Sequence, residues 1–176
     1  MEKTLILGFG NTIRGDDGIG IFVARSLKEE IYLPDIDVKE TDEAGINLLD
    51  IITGYEKLII IDSIQSEDSN VGDVYRFNLS EKNASNLFSS HGIGLPGIIK
   101  IGNALDIDLP KEIIIYAISI ENSDSFTDTL SSRGKESISK AVDLIKKELF
   151  SGLKEECLYG NRGPGCVRSQ MSSAGS

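Results

Sequence analysis

Histidine and cysteine are nearly missing from this chain. Its 176 residues include one histidine, His91, and two cysteines, Cys157 and Cys166, both within the last 20 positions. The cysteines are separated by eight residues with no other Cys or His nearby. That spacing excludes a zinc knuckle and a disulfide scaffold as the basis of the fold. Both read as incidental tail thiols in a reducing cytoplasm. Any chemistry that needs an imidazole must use His91. Long apolar runs are missing too: none approaches the roughly 20 residues that span a bilayer. Met1-Glu2-Lys3 leads straight into a strand pattern and has no signal-peptide layout, so a cytoplasmic protein is expected. Positive charge is short, with 18 basic against 28 acidic residues and a formal net charge of -10. A surface of that sign repels phosphates, which argues against nucleic acid or an anionic membrane as partner.

What is present suits one folded domain. The apolar fraction is 40%, enough for a core at this length. The organising stretch is Leu5 to Gly20, LILGFGNTIRGDDGIG. Leu5-Ile6-Leu7 reads as a buried strand closed by the turn Gly8-Phe9-Gly10-Asn11. Asp16 and Asp17 then stand at the start of a helix predicted over Ile19 to Ile31, at its positive end.

Further on, Ile36 to Thr41 alternates as a strand, and Ile46 to Ile52 carries an apolar helical stripe ended by Gly54. Leu58-Ile59-Ile60-Ile61 is an aliphatic run suited to a central strand covered on both faces, and it ends at Asp62-Ser63. Val71 to Asn78 reads as an antiparallel or edge strand, because charges interrupt it. Ser80 opens a short helix to about Phe88. The polar break Ser89-Ser90-His91-Gly92 precedes a helix over Ile93 to Leu105, with Pro96 in its first turn. Glu112 to Ile120 is the second aliphatic strand. Leu130 opens the last helix, with Ile138, Val142, Ile145 and Leu149 on one face. Strands alternating with helices indicate an α/β layered domain with a mostly parallel sheet. Residues 1–150 form that domain, and the pattern disappears over 151–176, which reads as a flexible tail.

In such sheets ligands collect at the carboxyl ends of the strands. Asp16, Asp17, Asp62 and His91 can converge there, strand order permitting. Carboxylates with one imidazole suit a divalent transition metal such as nickel, zinc or cobalt. Taken singly, each aspartate also reads as a helix cap and His91 as a loop residue. A dinucleotide fits poorly: Ile13 stands where the third glycine of G-x-G-x-x-G belongs, and the aspartates would repel a pyrophosphate. A phosphoacceptor fits no better, since the acidic pair lies well past the strand and Ile113 to Ile118 has no lysine. There is no H-E-x-x-H, and no Ser or Cys has a second imidazole to serve it.

LILGFGN followed by DDGIG, then LIIIDS, then SSHGIGL resembles the hydrogenase maturation proteases, in collinear order over residues 4 to 150. The turn Glu43-Ala44-Gly45-Ile46-Asn47-Leu48-Leu49 matches a further family pattern. The resemblance implies a three-layer helix-sheet-helix fold of phosphorylase/hydrolase-like type, with one antiparallel or edge strand. It implies an endopeptidase that removes the C-terminal extension of a [NiFe]-hydrogenase large-subunit precursor after nickel insertion. By motif position Asp17, Asp62 and His91 contact the nickel carried by the precursor, at a site that also suits other divalent metals. Asp16 then lies behind Asp17 and orients it. The mechanism is either of aspartic type, with a carboxylate as general base, or metal-dependent. Two departures bear on substrate choice: Glu43 replaces a common threonine, and Ile120-Glu121-Asn122 replaces a region that often holds proline. Ile120-Glu121 with Phe126, Leu130 and Ser131 is similar to the branch serving coenzyme F420-reducing hydrogenases. A monomer is expected. The rival reading is a nickel-dependent binding module or chaperone that recognises the same precursor without cutting it.

Overall fold

A computed structural model describes residues 3–65, 69–79, 94–121 and 126–150. Strand β1, Thr4–Phe9, is buried at every position. It lies between β2, Ile36–Thr41, and β3, Lys57–Ile64, and runs parallel to both. Strand β5, Glu112–Ser119, continues the parallel set beside β3. Strand β4, Val74–Asn78, closes the edge antiparallel to β5, which gives the order β2-β1-β3-β5-β4. The charged strand expected over 71–78 is thus both antiparallel and at an edge. Its polar side chains face water there at little cost.

The aliphatic runs are buried because helices cover both faces. Helices α1, Ile19–Glu30, and α4, Ser132–Phe150, pack with Ile6, Ile59, Ile61, Ile114 and Tyr116. Helices α2, Leu48–Ile52, and α3, Leu95–Ala104, pack with Leu5, Leu7, Leu58, Ile60 and Ile113. Successive residues of one strand serve opposite cores, the period of two that a pleated strand imposes. The result is the three-layer helix-sheet-helix architecture expected from the sequence.

Local boundaries differ in instructive ways. The stripe from Ile46 to Ile52 is split: Gly45–Asn47 forms a 3-10 turn and α2 begins only at Leu48. Strand β3 does not stop at Asp62, because Asp62, Ser63 and Ile64 keep their pairing with Ala117, Ile118 and Ser119. Helix α4 starts at Ser132 and not at Leu130, since the Ser131 hydroxyl accepts the N–H of Gly134 at 2.9 Å and caps it. The helix expected from Ser80 lies outside the described residues, as do His91, Cys157 and Cys166. Among the described residues no helix is long and apolar enough to cross a membrane.

The edge strand is fastened to α4 by charge. Arg76 on β4 meets Glu148 through two hydrogen bonds, from Nε at 2.8 Å and Nη2 at 3.0 Å. Lys57 Nζ lies 3.6 Å from the same carboxylate. Hydrogen bonding from Arg76 is the main reason that Glu148 titrates below its ordinary value.

Candidate active site at the carboxyl edge of the sheet

The site grows out of the chain that leaves β1. After Phe9 the backbone folds back on itself so closely that a β-carbon at Gly10 would meet the carbonyl oxygen of Asp17. The Asn11 side chain accepts the N–H of Ile13 at 3.1 Å, and the Asn11 carbonyl accepts that of Arg14 at 3.0 Å. These bonds shape a compact loop. A single 3-10 turn, Gly15–Gly18, carries Asp16 and Asp17 into α1. Gly20 then lies against the carbonyl oxygens of Phe9 and Ile61. The start of α1 is therefore seated across the ends of β1 and β3. This is a topological switch point: β1 leads through α1 to β2 on one side, while β3 is its neighbour on the other.

Asp62 stands on β3 one residue beyond Ile61 and is 1% exposed. Its Oδ1 accepts the N–H of Ser63 at 2.8 Å. Strand alternation puts Asp62 on the face covered by α2 and α3, with Leu58 and Ile60. Asp17, half-buried, lines a shallow pocket with Arg14, Asp16, Gln65, Ile120 and Glu121. Gln65 follows β3, and Ile120 and Glu121 follow β5. The pocket therefore opens where the parallel strands end.

Asp16 is held by a residue far along the chain. Asp16 Oδ1 accepts the backbone N–H of Ser131 at 2.8 Å, and Oδ2 accepts its hydroxyl at 2.5 Å. His91, the third expected member of the site, lies outside the described residues, four positions before α3. Among the described residues no three His, Cys, Asp or Glu side chains gather closely enough to hold a metal. Two carboxylates with one imidazole is nonetheless a donor set that suits a divalent transition metal.

Arg14 and Gln65 belong to no site motif in the sequence, and Glu121 enters it only as a departure that bears on substrate choice. Their signal is positional: Gln65 and Glu121 stand one and two residues past parallel strands, where α/β ligand sites form. Arg14 stands inside the glycine–aspartate stretch itself.

A three-layer α/β domain with an acidic pocket at its switch point defines the class of protein. Comparison with known proteins narrows it. Residues 21–148 match the family of hydrogenase maturation proteases. The hydrogenase 2 maturation protease of Escherichia coli (strain K12) is 24% identical over 165 residues, covering 89% of this chain and 99% of its own. Among solved structures, the hydrogenase-maturating endopeptidase HybD from E. coli superposes with a TM-score of 0.73 at 23% identity, over 85% of this chain and 93% of its own. The [NiFe] hydrogenase maturation protease HybD from Thermococcus kodakarensis reaches 0.66 at 29% identity, over 83% and 98%. This chain belongs to the hydrogenase maturation protease family, and it is a peptidase. The non-cutting chaperone reading gives way on that ground.

Proposed function

We propose that this peptidase removes the C-terminal extension of a [NiFe]-hydrogenase large-subunit precursor once nickel is in place, with Asp17, Asp62 and His91 engaging the nickel that the precursor carries. The observation that supports this reading most is the seat of α1. Gly20 against the carbonyls of Phe9 and Ile61 sets the turn of Asp17 beside the strand of Asp62. Relatives named for hydrogenase maturation supply the substrate class. The same reading has the protein act in the cytoplasm as a monomer through a protease domain over residues 1–150. Its precursor is of the coenzyme F420-reducing type.

The reaction is amide hydrolysis: water oxygen bonds to the scissile carbonyl carbon, the C–N bond breaks, and the leaving amine takes a proton. A carboxylate at the pocket can take the water proton and return it to the amine. The nickel of the precursor supplies Lewis acidity and marks a correctly loaded substrate. Cleavage then reports metal insertion.

The test mixes the purified protein with nickel-loaded and nickel-free precursor and looks for a shortened product. Only loaded precursor should be trimmed. If neither is trimmed, the proteolytic reading fails for this substrate; if both are trimmed equally, the nickel check fails. Asp17→Asn and His91→Ala should abolish trimming, and variants that cut normally would remove those residues from the site.

A further inference from the structure

The turn that carries Asp17 is held by a segment more than 100 residues further along the chain. Asp16 spends both carboxylate oxygens on Ser131, at 2.8 Å to its N–H and 2.5 Å to its hydroxyl. The same Ser131 oxygen accepts the N–H of Gly134 at 2.9 Å. One hydroxyl therefore caps α4 and donates to Asp16. Gly134 makes room for this, since a β-carbon there would overlap Asp16 Oδ1. A second tie lies four residues earlier. The N–H of Gly15 donates to the Thr127 carbonyl at 2.6 Å, and the N–H of Thr127 donates to the Ile13 carbonyl at 3.1 Å. Residues 13–16 are thus fastened to residues 127–131 at two points, with Asp17 directly behind.

Physical chemistry favours this arrangement. A carboxylate beside the N-terminus of a 19-residue helix is stabilised by the helix dipole. Hydrogen bonds to an ionised acceptor are roughly twice as strong as neutral ones. Asp17 itself continues the 3-10 turn from Asp16, so any shift of Asp16 is passed along a single peptide bond.

We propose that Asp16, Ser131 and Thr127 form a clasp that sets where Asp17 stands in the pocket. Asp16 and Ser131 are then positioning residues for peptide cleavage and touch no reacting atom. This rests on the reading of Asp17 as a site residue.

The experiment compares Asp16→Ala, Ser131→Ala, Ser131→Thr and the double alanine variant, well below their melting temperatures. Each single alanine variant should lower kcat for precursor trimming by about 10- to 100-fold, the loss expected of a misplacement near 1 Å. KM should stay within about twofold, because uniform binding is untouched. The double variant should be no worse than the poorer single, because the partners act as one unit. Ser131→Thr keeps the hydroxyl and should restore activity. Alanine variants that melt earlier yet keep wild-type kcat would reduce the clasp to a helix cap and overturn the proposal. So would losses that multiply in the double variant, since Asp16 would then act on the substrate directly. Amide exchange at Asp17 and Gly18 reads the clasp without any substrate. Either alanine variant should speed it about tenfold or more, as local opening becomes easier. Unchanged exchange overturns the clasp even if the wild type trims nothing. Faster exchange in a protein that trims no precursor leaves the clasp standing and rejects the proposed function instead.

Discussion

Gly20 lies against the carbonyl oxygen of Ile61 so closely that no β-carbon fits between them. The contact brings the first turn of α1 onto the junction of β1 and β3, three residues after Asp17. The glycine spacing of the opening stretch therefore serves close backbone approach and not a phosphate.

Substitution at this point should be costly. Gly20→Ala must push α1 off the strands and should destabilise the protein by about 1–3 kcal/mol, the usual range for overpacking a filled site. Gly97→Ala is the contrast, because nothing lies within 4 Å of an added β-carbon there. It should stabilise by about 0.4–1 kcal/mol through the unfolded chain. Urea denaturation of the two variants should show midpoints that move in opposite directions.

Charge removal at the pocket should separate function from folding. Asp17→Asn is expected to abolish precursor trimming while changing folding stability by no more than about 1 kcal/mol, as at other half-buried surface positions. Paired measurements of trimmed product and of urea midpoint check this. A variant that trims at wild-type rate would displace Asp17 from the chemistry.

The Arg76–Glu148 pair makes a prediction in acid. Arg76 holds the Glu148 carboxylate below its ordinary value, so the folded state binds its proton less readily than the unfolded chain does. Stability from the pair is then full above the ordinary carboxylate range and is lost as pH falls through the lowered folded value. Glu148→Gln should cost about 0.5–1 kcal/mol near neutrality, since the Arg76 side is 38% exposed and solvent screens it. The difference from wild type should shrink toward zero at a pH below the ordinary carboxylate range, as the native carboxylate is itself protonated. Denaturation curves at the two pH values decide it.

An opposite sign holds at the alkaline end. The Tyr55 hydroxyl donates to Asp37 at 2.6 Å. Burial first, and then the Asp37 carboxylate, push its pKa up to about 12. A raised folded value means that its stabilising contribution is present below the ordinary tyrosine range and is lost as pH rises through about 12. Ultraviolet difference titration should show late tyrosine ionisation, to which Tyr116, also raised by burial, contributes, and Tyr55→Phe should reduce it by one tyrosine.

Much of the fold was legible in the chain. Runs such as Leu58 to Ile61 and Ile113 to Ile115 have no polar face, and only a parallel sheet covered on both sides buries such a run completely. The charged Val74–Asn78 segment announced an edge for the converse reason. The glycine–aspartate stretch, Asp62 and the histidine turn together carried the family resemblance, because their residue types and their order can be read along the chain.

What the sequence could not disclose are the pairings that only packing creates. Adjacent Asp16 and Asp17 look equivalent in the chain. The fold sets both in the wall of the pocket and ties Asp16 to Ser131, 115 residues away. Strand β3 runs on through Asp62 because β5 is there to pair with it. Arg14, Gln65 and Glu121 become neighbours because strand order brings the ends of β1, β3 and β5 together. Periodicity and residue chemistry are local properties and can be read along a chain. Which distant segment answers a given carboxylate is set by how the layers close, and the opening stretch acquires its site only then.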